Sequence, residues 1–281
     1  MAPRLPPSIR KGRMRGAWMG LGLGLAWSGV ALGCTVPPHV ATQMPDTLSV
    51  PFSDGSLAWY DGPTTRYAHG VLGDSIEATR LHAYATTAQT PCGDQSITLP
   101  SELVFEDTAP RLADVDGDGT PEIIVVQSHQ RLGAQLAIYR FSDNGAGMDL
   151  LASTPFIGRS NRWLSPVGIA DLDGDGTVEI AYVDRPHLAR TLRVWRFTPA
   201  TATDAAHLRE LASAPGLTNH RIGESFITGG IRTCGTAPEM ITANADWTLV
   251  MATRLSSGAL TSRAIGPFSL SATAAALSCS Q

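Results

Sequence analysis

The sequence predicts an all-β fold, a small β-propeller of four or five four-stranded blades. An internal repeat, runs of short strand-like segments, and the lack of any sustained helical period predict it. The repeat comes first, because a missed repeat misreads the whole architecture. Leu112 to Ile123 (LADVDGDGTPEI) recurs as Ile169 to Ile180 (IADLDGDGTVEI), 57 residues later. The correspondence continues downstream: Gln135 to Phe141 (QLAIYRF) matches Thr191 to Phe197 (TLRVWRF), and Leu151 to Pro155 matches Leu211 to Pro215.

Two weaker copies fit the same frame. Ala68 to Glu77 keeps the turn, one aspartate and the glutamate, and Gly229 to Met240 keeps Gly235 and Glu239 without an aspartate. Repeats therefore run near 66–109, 110–165, 166–225 and 226–281, within a propeller domain of 61–281. Inside a repeat, 122–127, 134–142 and 150–153 are short runs rich in β-branched or aromatic residues, parted by glycine and polar turns. No stretch shows the 3.6-residue amphipathic period of a helix. Four short strands per unit of this length make a propeller blade. A solenoid of stacked units would bury the same faces and is the structural alternative. Residues 34–60 form an N-terminal segment that supplies a blade-closing strand in the five-blade version.

The chemistry lies in the repeated loop. With Asp114 as position 1, carboxylates stand at positions 1, 3 and 5 (Asp114, Asp116, Asp118), a backbone carbonyl at 7 (Thr120) and Glu122 at 9. The second copy has Asp171, Asp173, Asp175, Thr177 and Glu179. Hard oxygen donors at alternate positions of a tight turn suit Ca2+, which takes 6–8 oxygens. Gly117 and Gly119 allow backbone angles that a Cβ would block. Without a cation the carboxylates repel, by about 4 kcal/mol per pair at 4 Å and an effective dielectric of 20. An EF-hand would place its last acid at position 12 between helices. Here it stands at 9 and a strand follows.

These two loops resemble the calcium loops of FG-GAP (VCBS-type) repeats, the units of integrin α-subunit propellers. The resemblance implies that the loop joins the first two strands of a blade and that the calcium is structural. This chain departs from the pattern in its glutamate at position 9, in lacking a Phe-Gly dipeptide, and in showing four units where relatives often have seven.

The amino terminus reads as a secretory leader over 1–33. Arg4, Arg10, Lys11, Arg13 and Arg15 precede an uncharged apolar run from Ala17 to Leu32. The run is short and glycine-rich for a membrane span. It ends Ala31-Leu32-Gly33-Cys34, which fits either acylation of Cys34 as a lipoprotein or ordinary cleavage after Gly33. The expected location is the periplasm or the outer membrane, with the membrane met only through lipid on Cys34, or alternatively the outside of the cell. Loss of 1–33 removes five of the 21 basic residues and none of the 25 acidic ones, taking the formal charge from −4 to −9. That excludes a nucleic-acid partner, which needs a basic footprint. Lys11 is the only lysine, so the exported part has no Schiff-base or P-loop lysine. The four cysteines, Cys34, Cys92, Cys234 and Cys279, match no zinc spacing and suit an oxidising compartment. They allow three pairings; the repeat frame puts Cys234 and Cys279 in the last unit and so predicts that pair.

Segments entering each first strand run toward a propeller's channel. Arg66, His69, Glu106, Arg162, Trp163, His220, Arg221 and Glu224 lie on these segments and predict a polar channel mouth for a protein, peptide or glycan ligand. The competing assignment is that they are bonds between blades. Pairs such as His220/Glu224 or His187/Asp184 raise a hydrolase or lyase acting on a glycan or phosphate ester. No Gly-x-Ser-x-Gly elbow or His-Glu-x-x-His motif supports it, and the expectation is a non-catalytic binding protein. A structural envelope-assembly component is the third class, which fold alone does not separate from the others.

Overall fold

The structure, a computed structural model, describes residues 43–85, 93–142 and 147–280. The leader, Cys34 and Cys92 lie outside them. The described chain is all-β with antiparallel pairing throughout, closed by one short helix. It forms four meanders in chain order. The first holds β1 (Leu57–Thr64), β2 (Glu77–Ala85) and β3 (Gly93–Thr98). The second has a first strand in two pieces, β4 (Leu103–Phe105) and β5 (Arg111–Ala113), then β6 (Glu122–His129), β7 (Gly133–Phe141) and β8 (Met148–Ser153). The third is β9 (Leu164–Ala170), β10 (Glu179–Asp184), β11 (Thr191–Thr198) and β12 (His207–Pro215). The fourth again has a split first strand, β13 (Leu217–Thr218) and β14 (Gly230–Arg232), then β15 (Glu239–Asn244), β16 (Leu249–Ser256) and β17 (Ala259–Pro267). A single pair, Ala78 opposite Phe105, joins the first two meanders into one hydrogen-bonded sheet.

Period-two alternation explains the packing, since successive strand residues face opposite sides. In β6, Ile123 and Val125 pack toward the first meander, while Ile124 and Val126 pack toward the third. In β10, Ile180 and Tyr182 face the second meander and Ala181 and Val183 the fourth. Both strands are therefore buried on two faces, which is why they read as unbroken apolar runs. Three cores result, one between each consecutive pair of meanders.

The far face of the fourth meander meets a helix, α1 (Leu270–Leu277). Ala276 and Leu277 pack on Ile241, Val250 and Ala252. Ser269 caps the helix by accepting the Ala272 N–H at 3.0 Å. The Cys234–Cys279 disulfide ties the end of α1 to the β14–β15 loop, and Arg232 donates to the Ala276 carbonyl at 2.9 Å. α1 is an alanine-rich helix stabilised by burial and a cap, and it lacks a strong amphipathic period, as the sequence shows none.

First and fourth meanders meet through loops. The Gly223 N–H donates to the Val71 carbonyl at 3.0 Å. Gly73 has φ +103°, and a Cβ there would lie 3.1 Å from the Gly223 carbonyl oxygen, so the approach needs glycine. The first meander begins at Leu57, inside the segment assigned to residues 34–60. Ser49 N–H donates to Ala58 O at 2.8 Å and Tyr60 N–H to Thr47 Oγ1 at 3.0 Å, so residues before β1 cover its free edge. Among the described residues, no helix is long and apolar enough to cross a membrane.

Candidate functional site

Each acidic loop joins the first strand of its meander to the second, 114–121 between β5 and β6 and 171–178 between β9 and β10. Their backbones agree: φ is +80° and +89° at Gly117 and Gly119, and +80° and +88° at Gly174 and Gly176. Those turns aim amides inward, and the first aspartate of each loop collects them. Asp114 accepts from Gly117 N–H at 2.7 Å and Gly119 N–H at 2.9 Å. Asp171 accepts from Gly174 at 2.7 Å, Asp175 at 3.1 Å and Gly176 at 2.9 Å. The Thr120 and Thr177 amides donate to Asp118 and Asp175. The buried ninth-position glutamates accept from Val115 N–H at 2.9 Å and Leu172 N–H at 2.8 Å. One carboxylate oxygen from each of Asp114, Asp116 and Glu122 lies within 4.8 Å of the others, and Asp171, Asp173 and Glu179 repeat the cluster. Both sets are hard oxygen donors fit for a divalent cation.

The two loops differ in what faces the remaining oxygens. In the first, no donor among the described residues reaches Asp116 Oδ2, Asp118 Oδ2 or Glu122 Oε1. Burial and the three aspartates push the Glu122 carboxyl up to about 7, and burial also raises Asp116. In the second, Arg196 enters. Its guanidinium bonds Asp173 Oδ2 at 3.0 Å, Asp175 Oδ2 at 2.8 Å and Glu179 Oε1 at 2.7 Å, the same oxygens at the same loop positions. Burial raises Glu179 too, opposed by the Leu172 amide and Arg196. The Thr177 amide and Arg196 lower Asp175.

The degenerate loops take two further courses. Glu239 is held by three arginines: Arg232 at 2.7 Å, Arg254 at 2.8 Å and Arg263 at 2.8 Å. Against the opposing effect of burial, they lower its carboxyl. Among the described residues no arginine pairs with Glu77; burial, Glu106, Asp74 and Asp107 push it up to about 9.

The residues predicted for a channel mouth divide. His69, Arg162 and Trp163 line a cleft of about 200 Å³ where the 65–76 loop meets the approach to β9, together with Asn161, Arg185, His187, Leu188 and Ile222. Glu106 is fully buried behind His69, accepting its Nδ1–H at 2.5 Å and the Ser128 hydroxyl. The Glu106 carbonyl accepts Trp163 Nε1–H at 2.8 Å. His220 is buried beneath Trp163, with ring centroids 4.9 Å apart. The other three turn elsewhere. Arg66 donates to the Pro100 and Leu103 carbonyls. Arg221 lies over Trp247 at 4.1 Å, and Glu224 supports the 220–224 turn by accepting Arg221 N–H.

His187, outside the predicted channel-mouth set, is a central member of the cleft. Its Nε2 lies 3.0 Å from His220 Nδ1, and its ring stacks on Trp163 at 6.4 Å and 13°. Burial, His220, His69 and Arg190 push His187 down to about 4. The pairing of His187 with Asp184 is not formed; Asp184 is held by Arg185 and Arg193. Nor does His220 bond the Glu224 carboxylate: its Nε2 donates to the Glu224 carbonyl at 2.8 Å.

Residues 107–182 match the family model of the FG-GAP-like repeat, a span that contains both acidic loops. No curated protein matches the chain.

Proposed function

We propose that this chain is an exported, calcium-stabilised β-propeller whose role is binding rather than catalysis. The four meanders are its blades, and α1 covers the face where a closed ring would place another sheet. The leader at 1–33 delivers it to the periplasm or, through lipid on Cys34, to the outer membrane; release from the cell is the alternative. The observation that carries this reading is the pair of superimposable acidic loops at one place in successive meanders, inside the FG-GAP-like span.

Ca2+ would be held by Asp114, Asp116, Asp118, Glu122 and the Thr120 carbonyl in one loop, and by Asp171, Asp173, Asp175, Glu179 and the Thr177 carbonyl in the other. Bound there, it neutralises carboxylates that burial otherwise penalises. Both loops lead directly into second strands, so an ion fixes the turn that sets the register of the next strand. A partner protein, peptide or glycan is taken at the loop face that carries the cleft, away from these ions. Thermal melting with calcium and then EDTA tests the reading: chelation lowers Tm, since a ligand bound only by the native state stabilises it. An unchanged melt contradicts it. Capture from envelope extract with and without calcium then tests the binding role.

A further inference from the structure

The cleft beside Trp163 has its hydrogen-bonding directions set by its neighbours. A carbonyl only accepts, so His220 Nε2 carries the proton it donates to Glu224 O. Burial lowers the His220 pKa and keeps that ring neutral, leaving Nδ1 as an acceptor. His187 must then donate from Nε2, and its Nδ1 is left as a bare lone pair. Glu106 likewise accepts from His69 Nδ1–H, which leaves Nε2 as the free nitrogen of that ring. A carboxylate or carbonyl bonded behind an imidazole is the arrangement that fixes a functional tautomer.

Among the described residues the lining of the cleft holds Arg162 and Arg185 and no carboxylate, with Glu106 buried behind His69. Arg185 is occupied by Asp184 through bonds of 2.8 and 2.9 Å. Arg162 makes no ion pair among the described residues; its NH1 donates only to the Asn161 carbonyl. A guanidinium in a concave site on an acidic protein focuses the field toward an anion. Two lining residues, Asn161 and Arg185, have positive φ of +53° and +47°. Such outliers persist where the surroundings hold a shape that function uses. At about 200 Å³ the cleft is smaller than the roughly 300–1,000 Å³ of drug-sized sites and suits one small ring.

We propose that this cleft binds a small hydroxylated acid, a sugar acid or a sugar phosphate, with Arg162 on the acidic group and His187 Nδ1 receiving a hydroxyl. His69 Nε2 is the second polar contact and Trp163 the floor. The assignment rests on the binding reading above and names its ligand class.

The test is calorimetric titration of the purified chain, in saturating calcium, with glucuronate, glucose 6-phosphate, glucose and inorganic phosphate. At least one sugar acid binds tenfold or more tightly than both glucose and inorganic phosphate, and which one distinguishes carboxylate from phosphate. Arg162 is half-buried and makes no ion pair among the described residues, so Arg162→Ala changes its Tm little; it weakens the acid by about tenfold or more, as expected for a lost charge-assisted bond, and leaves glucose unchanged. In the native chain, the ring ¹⁵N resonance of His187 Nδ1 shifts on adding the acid. The proposal is overturned if no probe binds, if glucose or phosphate matches the sugar acids, or if Arg162→Ala leaves their Kd unchanged. An EDTA-sensitive melt beside any of these results removes this assignment alone and leaves the calcium-stabilised fold standing.

Discussion

The loops at Asp114 and Asp171 share sequence, turn geometry and place in the sheet, yet only the second already contains a cation. Ile180 pairs with Trp195 and Glu179 with Arg196, so the arginine stands directly across from the glutamate and reaches into the loop. In the first loop the matching register, Ile123 opposite Tyr139, brings Arg140 to the corresponding place, but its exposed side chain makes no ion pair among the described residues and, against the effect of burial, only lowers Asp116 from a distance. Met240 opposite Thr253 gives Arg254 the same position in the fourth meander, where it joins Arg232 and Arg263 around Glu239. A buried glutamate closing the loop, one position earlier in the shorter first copy, thus recurs in four settings: without an arginine among the described residues at Glu77, open to a metal at Glu122, half claimed by arginine at Glu179, and fully claimed at Glu239. What recurs is a buried negative charge; the counter-charge differs from one meander to the next.

The largest effect is expected where the counter-charge is entirely protein. Glu239→Gln leaves Arg232 buried beside two further arginines and should cost about 3–5 kcal/mol, the usual result of removing one partner of a buried pair. Denaturant melts check it, and a loss below 1 kcal/mol would show that the arginines are independently solvated. Next is Glu77, whose ordinary value of 4.5 rises to about 9 in the fold. The folded protein holds this proton more tightly than the unfolded chain does. Stability from the group is therefore full below about 4.5, declines as pH rises, and is lost through about 9. At about 1.4 kcal/mol per pKa unit, Glu77→Gln should gain about 3 kcal/mol at pH 7, and its Tm should fall less between pH 5 and 8.

Calcium follows. At a hundred times Kd, a single ion adds about 2.7 kcal/mol, and Asp116→Asn should remove most of that calcium-dependent gain while Asp173→Asn removes little. The smallest effect belongs to Arg196→Ala. In EDTA it should cost about 1.5–2 kcal/mol through lost charge-assisted bonds; in calcium the cost should disappear as the ion takes the vacated oxygens.

Much of this was legible from residues. The repeat and the ligand positions follow from local spacing, and β6, β7 and β8 lie close to the runs at 122–127, 134–142 and 150–153 because alternation and turn residues act over a few positions. Cys234 and Cys279 pair as the repeat frame implied. The long-range relations were not legible. His187 belongs with His220, 33 residues away, through a loop junction that no local pattern encodes. Arg140 and Arg196 are the same letter in matched strands, yet Arg196 makes close ion pairs in its loop while Arg140 acts on Asp116 only from a distance. Helix α1 escaped notice because its alanines carry no strong apolar stripe; a cap, a disulfide and the exposed face of the last meander make it.

Calcium titration of the native chain and of Arg196→Ala bears most directly on the claim that arginine and metal compete for one position. In the native chain, the account predicts a tighter site lost with Asp116→Asn and a weaker one lost with Asp173→Asn, the weaker tightening about tenfold or more once Arg196 is removed, a change of 1.4 kcal/mol or more. Two equal sites indifferent to Arg196, or no calcium uptake at all, would contradict it.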